Sequence, residues 1–238
     1  MKFSHLPRVY IDESLSQDKK ISIQDKLLHY LKQVMRLKSE QLIRIFNAQD
    51  GEFLAKIISI DKSAMLIKLD RKIRNLYFNP PLILAICIIK PERFSEAIRS
   101  AIQIGVTKII PVISSRTQFK SIAREKIQKI ILQSIQQSER FKITELSPIL
   151  TLTELMKEDI EQIIFANESE NEPNKIKKIT EFADKICVLI GPEGGFTEEE
   201  KELIKSNKNV RSVSLGSSVL RTETASTCAL ACVQMMRG

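Results

Sequence analysis

Apolar and polar positions follow two different rhythms along this chain. In the first third, "LIRIFNA" (42–48), "GEFLAKIISI" (51–60) and "SAMLIKLD" (63–70) are short β-rich runs separated by Asp, Asn and Gly. Residues 25–36, "DKLLHYLKQVMR", set Leu27, Leu28, Leu31, Val34 and Met35 at helical spacing. The pattern predicts a small barrel-like β domain over 1–73, with the proline-ended stretch "RNLYFNPP" (74–81) as its boundary. Beyond it, strand-like runs at 82–89, 108–113, 162–166, 186–190 and 211–215 alternate with helical patterns near 92–104, 123–138, 197–206 and 222–236. That alternation predicts an α/β domain over 74–238, built on a mainly parallel sheet covered by helices. The polar stretch "ENEPNKIKK" (170–178) reads as a surface connection.

Glycine is scarce, with 7 in 238 residues, yet Gly191, Gly194, Gly195 and Gly216 gather in "LIGPEGGFTEEE" (189–200) and "LGSSVLRTETA" (215–225). Each stretch follows a predicted strand and opens a helix. Thr197 and Glu200 have the spacing of a capping box. Two tight turns are one reading. A bound ligand is the other, because ligands of such sheets lie beyond the carboxyl ends of the strands. Neither loop is a phosphate cradle: G-x-x-x-x-G-K-[ST] is missing, and so is a G-x-G-x-x-G opening a helix. Glu193 either is solvated or faces a ligand carrying positive charge or hydroxyl and amine donors. S-adenosylmethionine fits that description.

Charge separates the two halves further. The chain carries a net +8; residues 1–81 hold 15 Lys+Arg against 9 Asp+Glu, and the rest 22 against 20. The excess suits a polyanion such as RNA, or reflects a lysine-rich composition with solvated side chains. Cys87, Cys187, Cys228 and Cys232 contain no C-x-x-C pair and read as buried free thiols of a reducing compartment. The only histidines, His5 and His29, lie far from the glycine loops, so no metal is expected. The longest apolar run, Leu82 to Ile89, is a strand rather than a membrane span, and no signal peptide is evident. A cytoplasmic protein is expected. On the last helix Ala225, Cys228, Ala229, Cys232, Val233 and Met236 form an apolar stripe, with Thr227, Leu230 and Met235 opposite. Packing on its own sheet accounts for the stripe, and apolar groups on both faces also suit a second copy.

These loops, with "PRVY" (7–10), "VMRLKSEQLIRIFNAQDGEFLAKI" (34–57), "ERFSEAIRSAIQIGVTKIIPVISSRT" (92–117) and "QQSER" (136–140), resemble the RsmE-type ribosomal RNA uridine N3-methyltransferases of the SPOUT superfamily. The resemblance covers nearly the whole chain. It implies a PUA-like RNA-binding domain followed by a SPOUT domain with a trefoil knot. It also implies a homodimer that uses S-adenosylmethionine to methylate N3 of a uridine in small-subunit (16S) ribosomal RNA. By analogy the cofactor is framed by Leu189, Ile190, Gly191, Pro192, Glu193, Gly194 and Gly195, and by Leu215, Gly216, Ser217, Val219, Leu220 and Ala225. RNA contacts fall on Arg8, Arg36, Arg116 and Arg140. Ser39, Ser100, Gln103, Gln136 and Ser218 depart from the family's usual residues. Another SPOUT RNA methyltransferase and a non-catalytic RNA-binding module are the rival readings.

The chemistry narrows the candidates. Uridine N3 carries a proton and must lose it before or during attack on a methyl group. Arg221 is placed to donate hydrogen bonds to a uracil oxygen and favour the imide anion, or else to grip a phosphate. Glu223 is placed to accept the proton, directly or through water, or else to complement a helix N-terminus.

Overall fold

The computed structural model describes residues 3–168, 176, 179 and 181–237. Most of the 170–178 connection therefore lies outside the described residues. The chain divides into two compact units. One comprises Met1–Phe78 with Glu139–Lys142, the other Asn79–Ser138 with Ile143–Gly238.

The first unit is a five-stranded sheet, ordered β1-β3-β4-β5-β2, from β1 (Arg8–Tyr10), β2 (Lys20–Ile23), β3 (Leu42–Asn47), β4 (Gly51–Ile60) and β5 (Met65–Arg74). The β1–β3 pair is parallel and the other ladders are antiparallel. Val9, Ile21, Ile43, Ile57 and Met65, one from each strand, share a single core with Leu28 and Leu31. This is the barrel-like arrangement expected, although no ladder joins its outer strands β1 and β2. The helix predicted over 25–36 is shorter: α1 (Asp25–His29) passes into a π-helical turn (Tyr30–Val34) in which Met35 N donates to Tyr30 O at 3.1 Å. Arg36 then takes φ +52° and ends it. β5 continues through the charged "RKIR" because β4 pairs with it as far as Glu52↔Arg74.

The second unit is a seven-stranded parallel sheet with the path β12-β10-β11-β6-β7-β8. It contains β6 (Leu82–Cys87), β7 (Lys108–Ile113), β8 (Glu145–Leu146), β10 (Gln162–Ala166), β11 (Ile186–Ile190) and β12 (Val210–Val213), with β9 (Leu150–Thr151) pairing β7 off the path. The central strands β6 and β11 are buried along their whole length, which is why they read as continuous apolar runs rather than alternating ones. Helices α2 (Pro91–Ile104), α3 (Arg124–Gln137), α4 (Leu152–Leu155), α5 (Glu198–Ser206) and α6 (Thr222–Arg237) complete the unit, with α2 packed on both α3 and α6. The short β8, β9 and α4 are invisible to periodicity, though Thr151 and Glu154 form a full capping box at α4.

The last helix presents a different face from the one its stripe suggested. Thr222, Ser226, Ala229, Leu230 and Val233 are its buried residues, whereas Ala225, Cys228, Cys232 and Met236 are only half-buried. Leu230 thus belongs to the inward face. Cys87 and Cys187 are buried, and burial pushes both thiols up to about 12. Among the described residues no helix is long and apolar enough to cross a membrane, and no cluster of three His, Cys, Asp or Glu side chains has the arrangement of a metal site.

Candidate cofactor cleft and charged sites

Three neighbouring strand ends build the principal cleft. β10 contributes Phe165 and Ala166 with the following Asn167 and Glu168; β11 contributes Ile190 and the loop Gly191–Phe196; the segment after β12 contributes Leu215 to Leu220. Thr222 and Ala225 on the first turns of α6 close one side, and Lys201 of α5 another. The loops are held in place by specific bonds. Thr197 Oγ1 accepts from Glu200 N at 3.2 Å while Glu200 Oε2 accepts from Thr197 N at 3.0 Å, the capping box expected. Thr222 Oγ1 donates to Gly191 O at 3.2 Å, tying the start of α6 to the first loop. Ser214 Oγ bonds both the N–H and the carbonyl of Gly216, at 3.3 and 3.1 Å.

The glycines answer to different demands. Gly216 lines the cleft with φ +142°, and a Cβ built there meets nothing within 4 Å. At Gly191 a Cβ would come within 2.9 Å of the Phe196 ring, which stacks edge-on against Phe165 with centroids 5.5 Å apart. Gly194 is different. Its φ is outside the left-handed region, and an added Cβ makes only ordinary contact with Arg116 at 3.6 Å.

Of the positions singled out in the two loops, Ile190, Gly191, Pro192, Gly195, Leu215, Gly216, Ser217, Val219, Leu220 and Ala225 line this cleft. Three do not. Leu189 is fully buried in the core beneath it. Glu193 and Gly194 line a smaller recess instead, shared with Ile88, Phe119 and Arg116; Pro192 lines both hollows. Phe165, Ala166, Asn167, Glu168, Phe196, Lys201, Ser218 and Thr222 were not anticipated as lining residues. Phe196, Ser218 and Thr222 lie inside the quoted motifs, so a wider reading of those motifs finds them; no motif marks the end of β10.

The cleft suits S-adenosylmethionine. It offers an apolar wall (Phe165, Leu215, Leu220), backbone groups beside a glycine with open space, and one carboxylate, Glu168, able to accept from ammonium or hydroxyl donors. Arg221 is exposed and forms no ion pair with any described residue. Glu223 is mostly enclosed, its side chain 11% exposed, with Oε1 3.9 Å from Arg93 Nε and Oε2 buried without a hydrogen-bond partner.

The arginines proposed for RNA separate into two groups. Arg36 and Arg116 are exposed, the latter donating from Nη1 to Gly194 O at 2.9 Å. Arg8 and Arg140 are buried, at 5% and 6% exposure, and as placed they do not present themselves to RNA. Arg8 lies over the Phe46 ring, 3.4 Å from its centroid, and Nε donates to Glu52 at 3.2 Å. Burial pulls both guanidinium groups down to about 10. Local sequence reads an arginine as surface, but here the packing of its own unit has claimed it.

Comparison with known proteins agrees with this architecture. Residues 78–234 match the model of an RNA methyltransferase domain, and residues 23–70 that of an RNA methyltransferase PUA domain. The chain is 39% identical over 232 residues to the ribosomal RNA small subunit methyltransferase E of Rickettsia conorii, covering 96% of this chain and 95% of the relative. It is 31% identical to the protein of that name from Buchnera aphidicola of Schizaphis graminum, over 98% and 97% of the two chains. The crystal structure of a ribosomal RNA small subunit methyltransferase E from Neisseria gonorrhoeae bound to S-adenosyl methionine superposes with a TM-score of 0.86 at 27% identity, over 97% of this chain and 98% of that one. Taken with the cleft, these matches establish that the chain belongs to the ribosomal RNA small subunit methyltransferase E family.

Proposed function

We propose that this protein works in the cytoplasm, transferring the methyl group of S-adenosylmethionine to N3 of a uridine in small-subunit ribosomal RNA. The observation that carries the reading is the convergence of both glycine loops with the end of β10 on one cleft, at the carboxyl edge of a parallel sheet. The cofactor supplies a methyl group already activated by a sulfonium. What remains for the chain is to align the acceptor and to make its N3 nucleophilic. Arg221 is suited to donate to a uracil carbonyl oxygen as the imide loses its proton, and Glu223 Oε2 to receive that proton. Arg36 and Arg116 are the proposed phosphate contacts, and the trefoil knot implied by the resemblance is part of the same reading.

A homodimer completes the proposal. The half-buried stripe Ala225, Cys228, Cys232 and Met236, with Met235 at 83% exposure, leaves an apolar surface on α6 that a second copy would cover. Sedimentation equilibrium at micromolar concentration should give twice the chain mass; a fully active monomer would refute this.

The activity is tested with unmodified small subunits and labelled cofactor, followed by nucleoside mass spectrometry, with N3-methyluridine as the expected product. Gly216→Val belongs in the same series. Valine resists a φ of +142° at a position that lines the cleft. Calorimetry should show cofactor affinity reduced by about tenfold or more, a loss of ~1.4 kcal/mol, in a variant whose circular dichroism is unchanged. Unaltered affinity in that folded variant would remove the cleft as the cofactor site.

A further inference from the structure

We infer that Arg93 is a positioning residue for methyl transfer, a single cation that fixes the loop carboxylate Glu193 and the α6 carboxylate Glu223 at once. The inference rests on the methyl-transfer reading above. Arg93 is in the first turn of α2, a helix anchored by the buried Phe94, Ala97, Ile98, Ala101 and Ile102. Its backbone is therefore set by the core while its side chain, 35% exposed, reaches outward. Nη1 donates to Glu193 Oε1, in the loop between β11 and α5, and Nε stands 3.9 Å from Glu223 Oε1, on the first turn of α6.

These two carboxylates come from segments that meet only in the folded unit. Without a cation between them they would repel, and the loop and the helix start would lose a shared reference point. The planar fork of a guanidinium is suited to hold both, because its donors point in fixed and different directions. Its contact with Glu223, an ion pair at 3.9 Å rather than a hydrogen bond, is also one-sided. Oε1 faces Arg93, whereas Oε2 is buried and has no hydrogen-bond partner among the described residues. Buried polar atoms are seldom left unpaired, so this oxygen is available to a donor that binds beside it. The N3–H of the bound uracil is a donor of the right kind. Arg93 thereby selects which oxygen of Glu223 remains available, and keeps that carboxylate beside the loop whose other end, Gly191, accepts from Thr222. It touches neither substrate nor cofactor in this account and acts through Glu223.

The test is a double-mutant cycle on the full chain. Single-turnover rates at saturating S-adenosylmethionine and small subunits are measured for wild type, Arg93→Ala, Glu223→Gln and the double variant, with cofactor affinity and thermal midpoints measured alongside. Arg93→Ala should slow the chemical step by about tenfold or more and leave cofactor affinity within roughly threefold. Arg93→Lys, which keeps the charge without the fork, should recover part of the rate. In the Glu223→Gln background, removing Arg93 should cost less than about threefold, because the group it positions has gone. Equal losses in both backgrounds, or a near wild-type rate in Arg93→Ala, would overturn the inference while leaving the activity intact. A wild type that binds cofactor but methylates nothing overturns the activity itself. Should Arg93→Ala melt below the assay temperature, Arg93→Gln in both backgrounds carries the same comparison.

Discussion

Arg221→Ala should lower the single-turnover rate of methyl transfer by about 10²–10³-fold, with S-adenosylmethionine affinity close to wild type. The residue stands between Leu220, which lines the cleft, and Thr222, whose hydroxyl is bonded to Gly191 O. Its own carbonyl accepts from Ala225 N at 2.7 Å as α6 begins. The backbone is thus pinned while the guanidinium is exposed and forms no ion pair with a described residue. On the reading proposed above, its donors are kept for the substrate. As N3 loses its proton, negative charge spreads onto the flanking carbonyl oxygens, and a donor there stabilises the anion more than the neutral imide. The sign of the pH effect follows. Raising the pH increases the fraction of ionised uracil without help from the enzyme, so the variant should regain part of its deficit as pH rises. A variant with a normal rate at saturating RNA and a raised requirement for RNA would show that Arg221 grips a phosphate instead.

The contrast between Arg221 and the arginines that moved inward explains what the sequence could and could not disclose. The two loops were legible because their glycines and the capping pair Thr197–Glu200 are local signals, each complete within a few residues. The end of β10 was not, since its place between β11 and β12 is set by parallel ladders to strands that come later in the chain. Phe165 through Glu168 consequently reach the cleft with no motif of their own. Arg93 was hidden for the same reason: its partners lie 100 residues away at Glu193 and further on at Glu223. Glu193 stands out in the sequence as a charge within a glycine loop. The structure turns it towards Arg93 rather than into the principal cleft. Charge counted along the sequence measures composition; which charges face solvent is decided by the pairing of distant segments.

That pairing is strongest around Glu52, and Glu52→Gln should cost the first unit about 3–5 kcal/mol of stability. Glu52 is fully buried on β4 and accepts from Arg8 Nε, Arg44 Nη1 and Arg74 Nη1, each at 3.2 Å. Glu139 accepts from Arg44 at 2.8 Å and Arg74 at 2.9 Å. Three cations thus share two carboxylates. Arg8 is the least able to escape, with a side chain 2% exposed and the Phe46 ring beneath it. Burial lowers its pKa only to about 10, so it is still charged at neutral pH. A glutamine at 52 keeps the shape and an acceptor oxygen but removes the charge that compensates three guanidinium groups. Uncompensated buried charge is the expensive outcome, whereas an exposed pair such as Lys56–Glu40 contributes little. Glu139 adds a pH dependence of definite sign. Burial acts to raise its pKa, but the hydrogen bond and charge of Arg44, joined by Arg74, outweigh that and lower it. A depressed carboxylate stabilises the fold above its unfolded pKa, about 4.3, and the contribution is lost as pH falls through the folded value. Urea unfolding of the full chain, followed by tyrosine fluorescence because the chain has no tryptophan, should show an earlier transition for Glu52→Gln at pH 7. Glu139→Gln should move that transition less, and should lose part of the acid sensitivity seen in wild type. An unchanged midpoint in Glu52→Gln would mean that the three arginines find other compensation, and that the cluster is not what holds β1, β3, β4 and β5 together at that end of the sheet.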